Sequence, residues 1–481
     1  MPRALHAAVV SCADRQMPAA STTLQTPSAT SSDGLVRAIG LPAATLLVVG
    51  NVIGSAIFLT SGIMAGDLQS TPALLGAWLA GGLLTMAGGL TFAEMGAMLP
   101  RTGGLYVFLE EAYGPVWGFL FGWAALLVVL TGSVAGVAVG FAEYLSYFIP
   151  ALSTSRVVAT AGPVSITAGG LVAAISILAI GWINVVGVGV ASRVQAVLTV
   201  VKILGIAAIP AIALALMPET PSLIPIVPPV SRPLAAFGVA MIAVMWAFEG
   251  WSYLAMSAGE VHDAARVVPR AYLLGTVSLT VIYLAVNIGY VFALSLPAMA
   301  GETRIAEKAM TALVGPAGAT FIAAVVVIST LGCNVAGTLA MSRACFAMAR
   351  AGLFFRTVAA VHPVYRTPHV AILVTCVWSA MLAVSGSYEQ LFTYVTFASV
   401  LFSALGGLAI FRLRRTHAHL PRPYRVWGYP VVPGLFVAGC GLLVVNTLAE
   451  RPVESLLGLG LVALGLPAYW HWRGRAARAT P

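Results

Sequence analysis

Three polar interruptions break an otherwise apolar sequence, and their residue types suit binding rather than covalent chemistry. The first is GNVIGSAIF, residues 50–58, which places Gly50, Asn51, Gly54 and Ser55 inside one apolar run. The second is MWAFEGWSYLAMSAGE, residues 245–260, where Glu249 and Gly250 sit between Trp246 and Trp251. The third is Lys202, the one charge in VQAVLTVVKILGI, residues 194–206. Glycine costs a helix interior about 1 kcal/mol relative to alanine. Lipid tolerates broken backbone only where protein or a cavity surrounds it. A break at Gly54, Ser55 and Ala56 frees amides at the start of a half-helix, and those amides, with the helix dipole, attract an anion. The same small residues also suit close helix packing, so the first stretch alone leaves both readings open.

Lys202 lies nine residues beyond Arg193, about 13 Å at the rise of an α-helix. A charge at that depth costs about 3 kcal/mol and by default marks function; the alternative is a side chain that snorkels to an interface. Glu249 has two readings, a hydrogen-bonded acid within a helix break or a partner for a cationic substrate side chain. Glu94 falls near the inner end of the second apolar run, where a gate hydrogen bond with Arg270 is one expectation and a solvated helix end the other. Glu143 falls near the outer end of the third run. Trp78, Trp117, Trp123 and Trp182 read as packing or interfacial residues. The sequence has no P-loop, G-x-S-x-G elbow or H-E-x-x-H pair. Its seven histidines and five cysteines show no metal-ligand spacing. No cofactor, no metal and no enzyme activity are expected.

The elements that must hold these residues are membrane helices. Of 481 residues, 59% are hydrophobic and 9% charged, and the mean hydropathy is +0.95; a soluble surface needs far more charge. Twelve apolar runs reach membrane-spanning length. They lie near 36–62, 72–99, 115–149, 164–187, 189–216, 234–258, 269–296, 312–349, 368–385, 388–411, 430–448 and 453–472. With the N-terminus inside, inner segments carry 19 lysines and arginines and outer loops five, the bias of cytoplasmic loops. Both termini are therefore expected in the cytoplasm. The net charge of +9 is expected to meet anionic membrane lipid, not nucleic acid. Residues 1–35, rich in Ser, Thr, Ala and Pro, read as a disordered cytoplasmic tail. The two weak points fall in the first and sixth runs, and paired interrupted helices at matching places in two halves mark a transporter site.

These residues carry a resemblance. IGSAIF (53–58), FAEMGAMLPRTGGLYVFLEEAYGPVWGFLFGW (92–123), AFEGW (247–251), SRACFAMARAGLF (342–354) with HPVYRTPHVAI (362–372), and RPYRVWGYPVVPGLF (422–436) resemble, in order, signatures of the amino acid–polyamine–organocation (APC) superfamily, especially its L-type-like amino acid permeases. The resemblance implies an all-α integral membrane protein with twelve transmembrane helices. Its fold would be a five-plus-five inverted repeat, leucine-transporter-like, with helices 1 and 6 discontinuous. Residues 36–411 would form the transport core, and 412–481 helices 11 and 12 with a short basic C-terminus.

It further implies a substrate loop at Ile53, Gly54, Ser55, Ala56 and Ile57, the amides of the last four facing a substrate carboxylate. Carbonyls of Trp246, Ala247 and Glu249, beside Gly250, would receive the α-amino group, and Trp246 would gate the site from outside. Ala56 stands where the signature has its second glycine, and its methyl would trim the site toward smaller substrates. Lys202 would take the volume that a cation fills in sodium-coupled cousins. It would reach the Gly50 carbonyl, with Ser329, Thr330 and Cys333 as further partners. The implied function is sodium-independent secondary transport of amino acids by alternating access, as proton symport or exchange. A polyamine or organic-cation carrier and a non-transporting sensor are the alternatives. No cysteine lies in the expected outer loop between helices 3 and 4, so no disulfide-linked heavy-chain partner is expected. The expected location is a bacterial-type inner membrane.

Overall fold

The computed structural model describes residues 39–479 except 100–102, 163, 187, 217–230, 257–260, 351 and 366. The tail expected over 1–35 lies outside the described residues. The first apolar run is broken as its glycines require: α1 (Leu41–Val52), non-helical residues 53–55, a single tight turn at Ala56–Phe58, then α2 (Thr60–Leu68). The chain continues through α3 (Thr71–Met98), α4 (Leu105–Tyr113), α5 (Pro115–Ala124), a wide turn at Ala125–Val129 and α6 (Leu130–Phe148). A short antiparallel hairpin follows, β1 (Val157–Ala161) with β2 (Val164–Thr167). Then come α7 (Ala168–Val186) and α8 (Val188–Leu216).

The sixth run is broken too, into α9 (Pro233–Ala247) and α10 (Tyr253–Met256) around residues 248–252. The remainder is α11 (Ala264–Ala293), α12 (Leu296–Met299), α13 (Ile305–Val314), α14 (Pro316–Arg350), α15 (His369–Ser385), α16 (Tyr388–Thr416), α17 (Val431–Glu450), α18 (Pro452–Ala463) and α19 (Gly465–Ala479).

Several boundaries shift by a few residues, and two differences change the elements themselves. The fourth run was expected to start at 164, but the helix starts at Ala168 because the β-branched segments on either side of Gly162 pair as a hairpin. The twelfth run is interrupted at Leu464 between α18 and α19.

Among the described residues, eight helical stretches are long and apolar enough to cross a membrane, and four shorter apolar helices accompany them: Leu41–Val52, Lys202–Leu216, Pro233–Ala247 and His369–Ser385. Large apolar side chains stand fully outside the core, Leu234, Ile175, Trp182 and Leu204 among them. Water penalises an apolar exterior of that extent, whereas hydrocarbon does not. The chain is an integral, multi-pass membrane protein.

Helix pairing positions the two breaks. The helix α3 lies along α11, α6 along α14, α7 along α15 and α1 along α11. An aromatic cluster anchors the broken segments from behind. Trp78 of α3 packs edge-on to Tyr283 of α11 at 5.2 Å and tilts against Phe248. Phe92, Trp251 and Phe436 close the next layer. Trp78 is fully buried, while Trp117 and Trp182 are exposed.

Candidate functional site

The backbone of the two breaks fixes the site. Gly250 has φ +103°, a conformation side chains rarely adopt, and an added Cβ would stand 3.0 Å from the Asn51 carbonyl oxygen. Only glycine lets α9 and α10 bend while touching the first helix this closely.

Breaking a helix leaves carbonyls and amides without partners, and here the two kinds are treated differently. The carbonyls are capped by side chains from neighbouring helices. Lys202 Nζ donates to the carbonyls of Ile53 at 2.5 Å and Gly50 at 3.2 Å, and lies 3.4 Å from Cys333 Sγ. Tyr283 Oη donates to the Ala247 carbonyl at 3.0 Å and lies 3.4 Å from that of Val52. Tyr290 reaches the Ile57 carbonyl at 3.1 Å and Tyr144 that of Phe58 at 2.7 Å. The amides are not so treated. Among the described residues, those of Gly54, Ser55, Ala56 and Ile57 donate to no protein acceptor. A buried amide without a partner costs 1–3 kcal/mol, so four together form a donor cluster aimed at an anion.

A cavity of about 110 Å³ opens beside this cluster. Of the residues singled out from sequence, Gly50, Gly54, Ser55, Ala56, Trp246, Glu249 and Cys333 line it. Ile53, Ile57, Ala247 and Gly250 do not; they stand behind the wall, where the carbonyls of the first three are held by Lys202, Tyr290 and Tyr283. The Trp246 carbonyl accepts the Glu249 amide at 3.0 Å. Glu249 faces the cavity and its Oε2 accepts from Ser399 Oγ at 2.7 Å. Lys202 is 2% exposed, so its ammonium is inside the protein and does not snorkel. Ser329 and Thr330 do not join it: Thr330 Oγ1 turns back to the Val326 carbonyl, and Ser329 Oγ has no partner among the described residues.

Trp246 closes one end. Its Nε1–H donates to Tyr388 Oη at 3.0 Å, and Tyr388 Oη lies 3.4 Å from Ser55 Oγ. Phe392 stacks on the indole with centroids 6.5 Å apart. Beyond Tyr388 lies a second, larger cavity of about 700 Å³, walled in part by Asp67, Glu143, Thr154 and Arg451. Glu143 accepts there from Thr154 and from Thr303 Oγ1. Among the described residues no group of three or more His, Cys, Asp or Glu is placed to hold a metal ion.

Several site residues were not singled out from sequence. Tyr388, Tyr283, Ser399, Tyr253 and Asn334 come together only when distant helices pack. One group did have a signal, the G-x-x-x-G-x-x-x-G repeat of Gly132, Gly136 and Gly140 on α6. A Cβ at Gly136 would stand 3.1 Å from the Trp246 ring, and one at Gly140 2.9 Å from Ser55 Cβ. That glycine face lets both broken helices lie against α6.

Glu94 corrects an expectation. Its partner is Arg414, not Arg270, which is exposed. Arg414 makes a two-pronged pair with Glu94 at 2.8 and 2.7 Å, the Val426 amide adds 2.6 Å, and Arg422 Nε lies 3.8 Å away. Arg414 also lies over the Tyr429 ring. The acid thus clasps α3 to α16 and to the segment that precedes α17.

Known proteins resemble this chain along most of its length. Residues 39–456 match the family model described as amino acid permease. The chain is 31% identical over 453 residues to the serine/threonine exchanger SteT of Bacillus subtilis, covering 93% of this chain and 99% of that one. It is 27% identical to the human Asc-type amino acid transporter 1, over 93% of this chain and 85% of the relative. It is 28% identical to the human large neutral amino acids transporter small subunit 2, over 96% and 86%. The family comprises transporters and not enzymes. With its broken first and sixth apolar runs and a match across most of its length, the chain belongs to the amino acid permease family of the APC superfamily.

Proposed function

We propose that this protein is a secondary carrier that exchanges small neutral amino acids across a membrane by alternating access, without sodium. The observation that carries the reading is the asymmetry at the first break: neighbouring side chains cap the freed carbonyls, while the unpartnered amides belong to residues of which Gly54, Ser55 and Ala56 line a cavity. That arrangement suits a carboxylate. The carbonyl of Glu249 suits the α-ammonium, since that of Trp246 accepts the Glu249 amide and that of Ala247 is held by Tyr283.

The fold reading is the twelve-helix, five-plus-five inverted repeat. The pairing of α3 with α11, α6 with α14 and α7 with α15 supports it, because each pair joins corresponding helices of the two halves. Residues 36–411 are read as the transport core, within which one bundle rocks against the rest, with α17, α18 and α19 outside the repeat. The arginine bias favours an inner-membrane location with both termini cytoplasmic, which puts the larger cavity outside.

Small substrates are favoured by the 110 Å³ cavity and by the Ala56 methyl on its wall. Neutral substrates are favoured because Glu249 is engaged by Ser399, and because the relatives are named for serine, threonine and large neutral amino acids. In this reading the Lys202 ammonium, held by the Gly50 and Ile53 carbonyls, occupies the place of an inorganic cation. Exchange is favoured by the activity named for SteT. Proton symport is the second reading, favoured by the burial of Lys202.

The test is uptake of a labelled amino acid panel into proteoliposomes. Uptake that requires internal amino acid and ignores sodium supports exchange. Accumulation into empty vesicles under an inward proton gradient supports symport. Binding without flux marks a sensor, and binding that survives loss of the substrate carboxylate marks an organic-cation carrier. Glu249→Gln is expected to leave the ratio of neutral to cationic uptake unchanged; a changed ratio assigns Glu249 to substrate charge.

A further inference from the structure

We infer that Tyr388 is the positioning residue through which carboxylate binding at the first helix break holds the Trp246 gate shut. The inference rests on the reading of the 110 Å³ cavity as an amino acid site. Tryptophan nitrogen is a donor only, so the 3.0 Å contact runs from Trp246 Nε1–H to Tyr388 Oη. The tyrosine oxygen is thereby an acceptor, which leaves its own proton free for Ser55 Oγ, 3.4 Å away, although either hydroxyl can donate in that contact. With the phenol donating, Ser55 Oγ keeps its own proton for the cavity wall it shares with Gly54 and Ala56. The three groups form one directed chain, indole to phenol to hydroxyl, ending where an anion is received. Hydrogen bonds in such a chain polarise one another, and a charged terminal acceptor strengthens the last of them. A carboxylate at the amides therefore tightens the grip on the indole two residues away.

The surroundings assign this role to Tyr388 and not to its neighbours. Phe392 stacks on Trp246, which fixes the ring but gives no directional link to Ser55. Gly136 and Gly140 leave the indole and Ser55 room on the same face of α6 and contribute no polar group. Tyr388 is the first residue of α16, whose start is fixed by the reciprocal bonds of Ser387 and Gln390. It also lines the 700 Å³ cavity beyond Trp246. Passage between the two cavities at this point parts Trp246 from Tyr388, and the chain makes that parting harder when a carboxylate is bound.

A double-mutant cycle tests the chain with the neutral amino acid that the wild type exchanges fastest. Tyr388→Phe and Ser55→Ala are each expected to raise KM about fivefold, the worth of one hydrogen bond, with maximal exchange within about twofold of wild type. The double variant is expected to be no worse than either single, because both break one chain. Phe392→Leu, a packing change, is expected to multiply with Ser55→Ala. Discrimination between the amino acid and its carboxamide is expected to narrow in Tyr388→Phe. Multiplication of the Tyr388→Phe and Ser55→Ala effects, or an unchanged KM in Tyr388→Phe, overturns the inference. If the wild type binds but does not exchange, the transport reading fails and the same cycle in Kd still decides the chain. If it binds no amino acid, both readings fall.

Discussion

The hydroxyl of Tyr283 lies 3.0 Å from the carbonyl oxygen of Ala247 and 3.4 Å from that of Val52, one in each broken helix. One fully buried side chain on α11 thus ties the two interruptions together. Tyr283→Phe leaves the Ala247 carbonyl without its donor, at a cost of about 1–3 kcal/mol. Thermal unfolding of the purified protein is expected to show a lowered midpoint, and exchange a lowered rate.

Lys202 supports the first break alone. Lys202→Ala uncaps the Gly50 carbonyl and leaves that of Ile53 with only the weak Cys333 thiol donor. Exchange is expected to fall at least about tenfold, the equivalent of roughly 1.4 kcal/mol, while the protein still reaches the membrane. Lys202→Arg is not expected to rescue it, because a planar guanidinium does not reproduce a compact ammonium. Wild-type exchange is expected to be equal in sodium and choline media.

Ala56 narrows the cavity by one methyl. Ala56→Gly is expected to lower the KM of larger neutral amino acids relative to alanine by roughly fivefold, near the low end of what one carbon is worth in a pocket. Competition between labelled alanine and unlabelled leucine measures it.

Glu94 is 1% exposed and paired with Arg414. Removing one partner strands the other charge, and breaking a buried pair costs about 3–5 kcal/mol. Glu94→Gln is expected to destabilise at the lower end, because Arg414 also rests on the Tyr429 ring. The double variant Glu94→Gln with Arg414→Gln is expected to lose less than the two singles combined, read by thermal unfolding.

Asp67, beyond the first apolar run and at the rim of the larger cavity, supplies a pH dependence. Burial, and then the nearby Glu389, push its carboxyl from 3.8 up to about 6, with Arg451 opposing. The folded state therefore holds this proton more tightly than the unfolded chain does. Stability is expected to fall as pH rises from about 4 to about 6 and then to level off. Asp67→Asn removes that loss, so it is expected to stabilise at about pH 7.5 and to leave stability unchanged at about pH 4, read by melting at both values.

Much of this protein is legible in its one-dimensional pattern. The membrane class follows from apolar run lengths, because hydrocarbon thickness dictates helix length. Both breaks are legible, since glycines stand beside polar residues at matching places in the first and sixth apolar runs: α1 ends at Val52 and α9 at Ala247, near Gly54 and Gly250. The reach of Lys202 to the Gly50 carbonyl and to Cys333 agrees with the expectation drawn from family resemblance. The hairpin at 157–167 was not legible, because its apolar, β-branched residues merge into the run that follows.

Tertiary structure alone decided who meets whom. Sequence placed Glu94 near a gate but gave it Arg270, when Arg414, 320 residues away, holds it. Family resemblance marked Trp246 as a gate but not Tyr388, which lies 142 residues further on and accepts the indole N–H. It offered Ile57 and Ala247 to the substrate, whereas packing turned them behind the cavity wall toward Tyr290 and Tyr283. The physical reason is one of range. A broken helix is a local property, set by residues a few positions apart. The partner that satisfies each freed group is set by helix packing across hundreds of residues, and no local pattern encodes it.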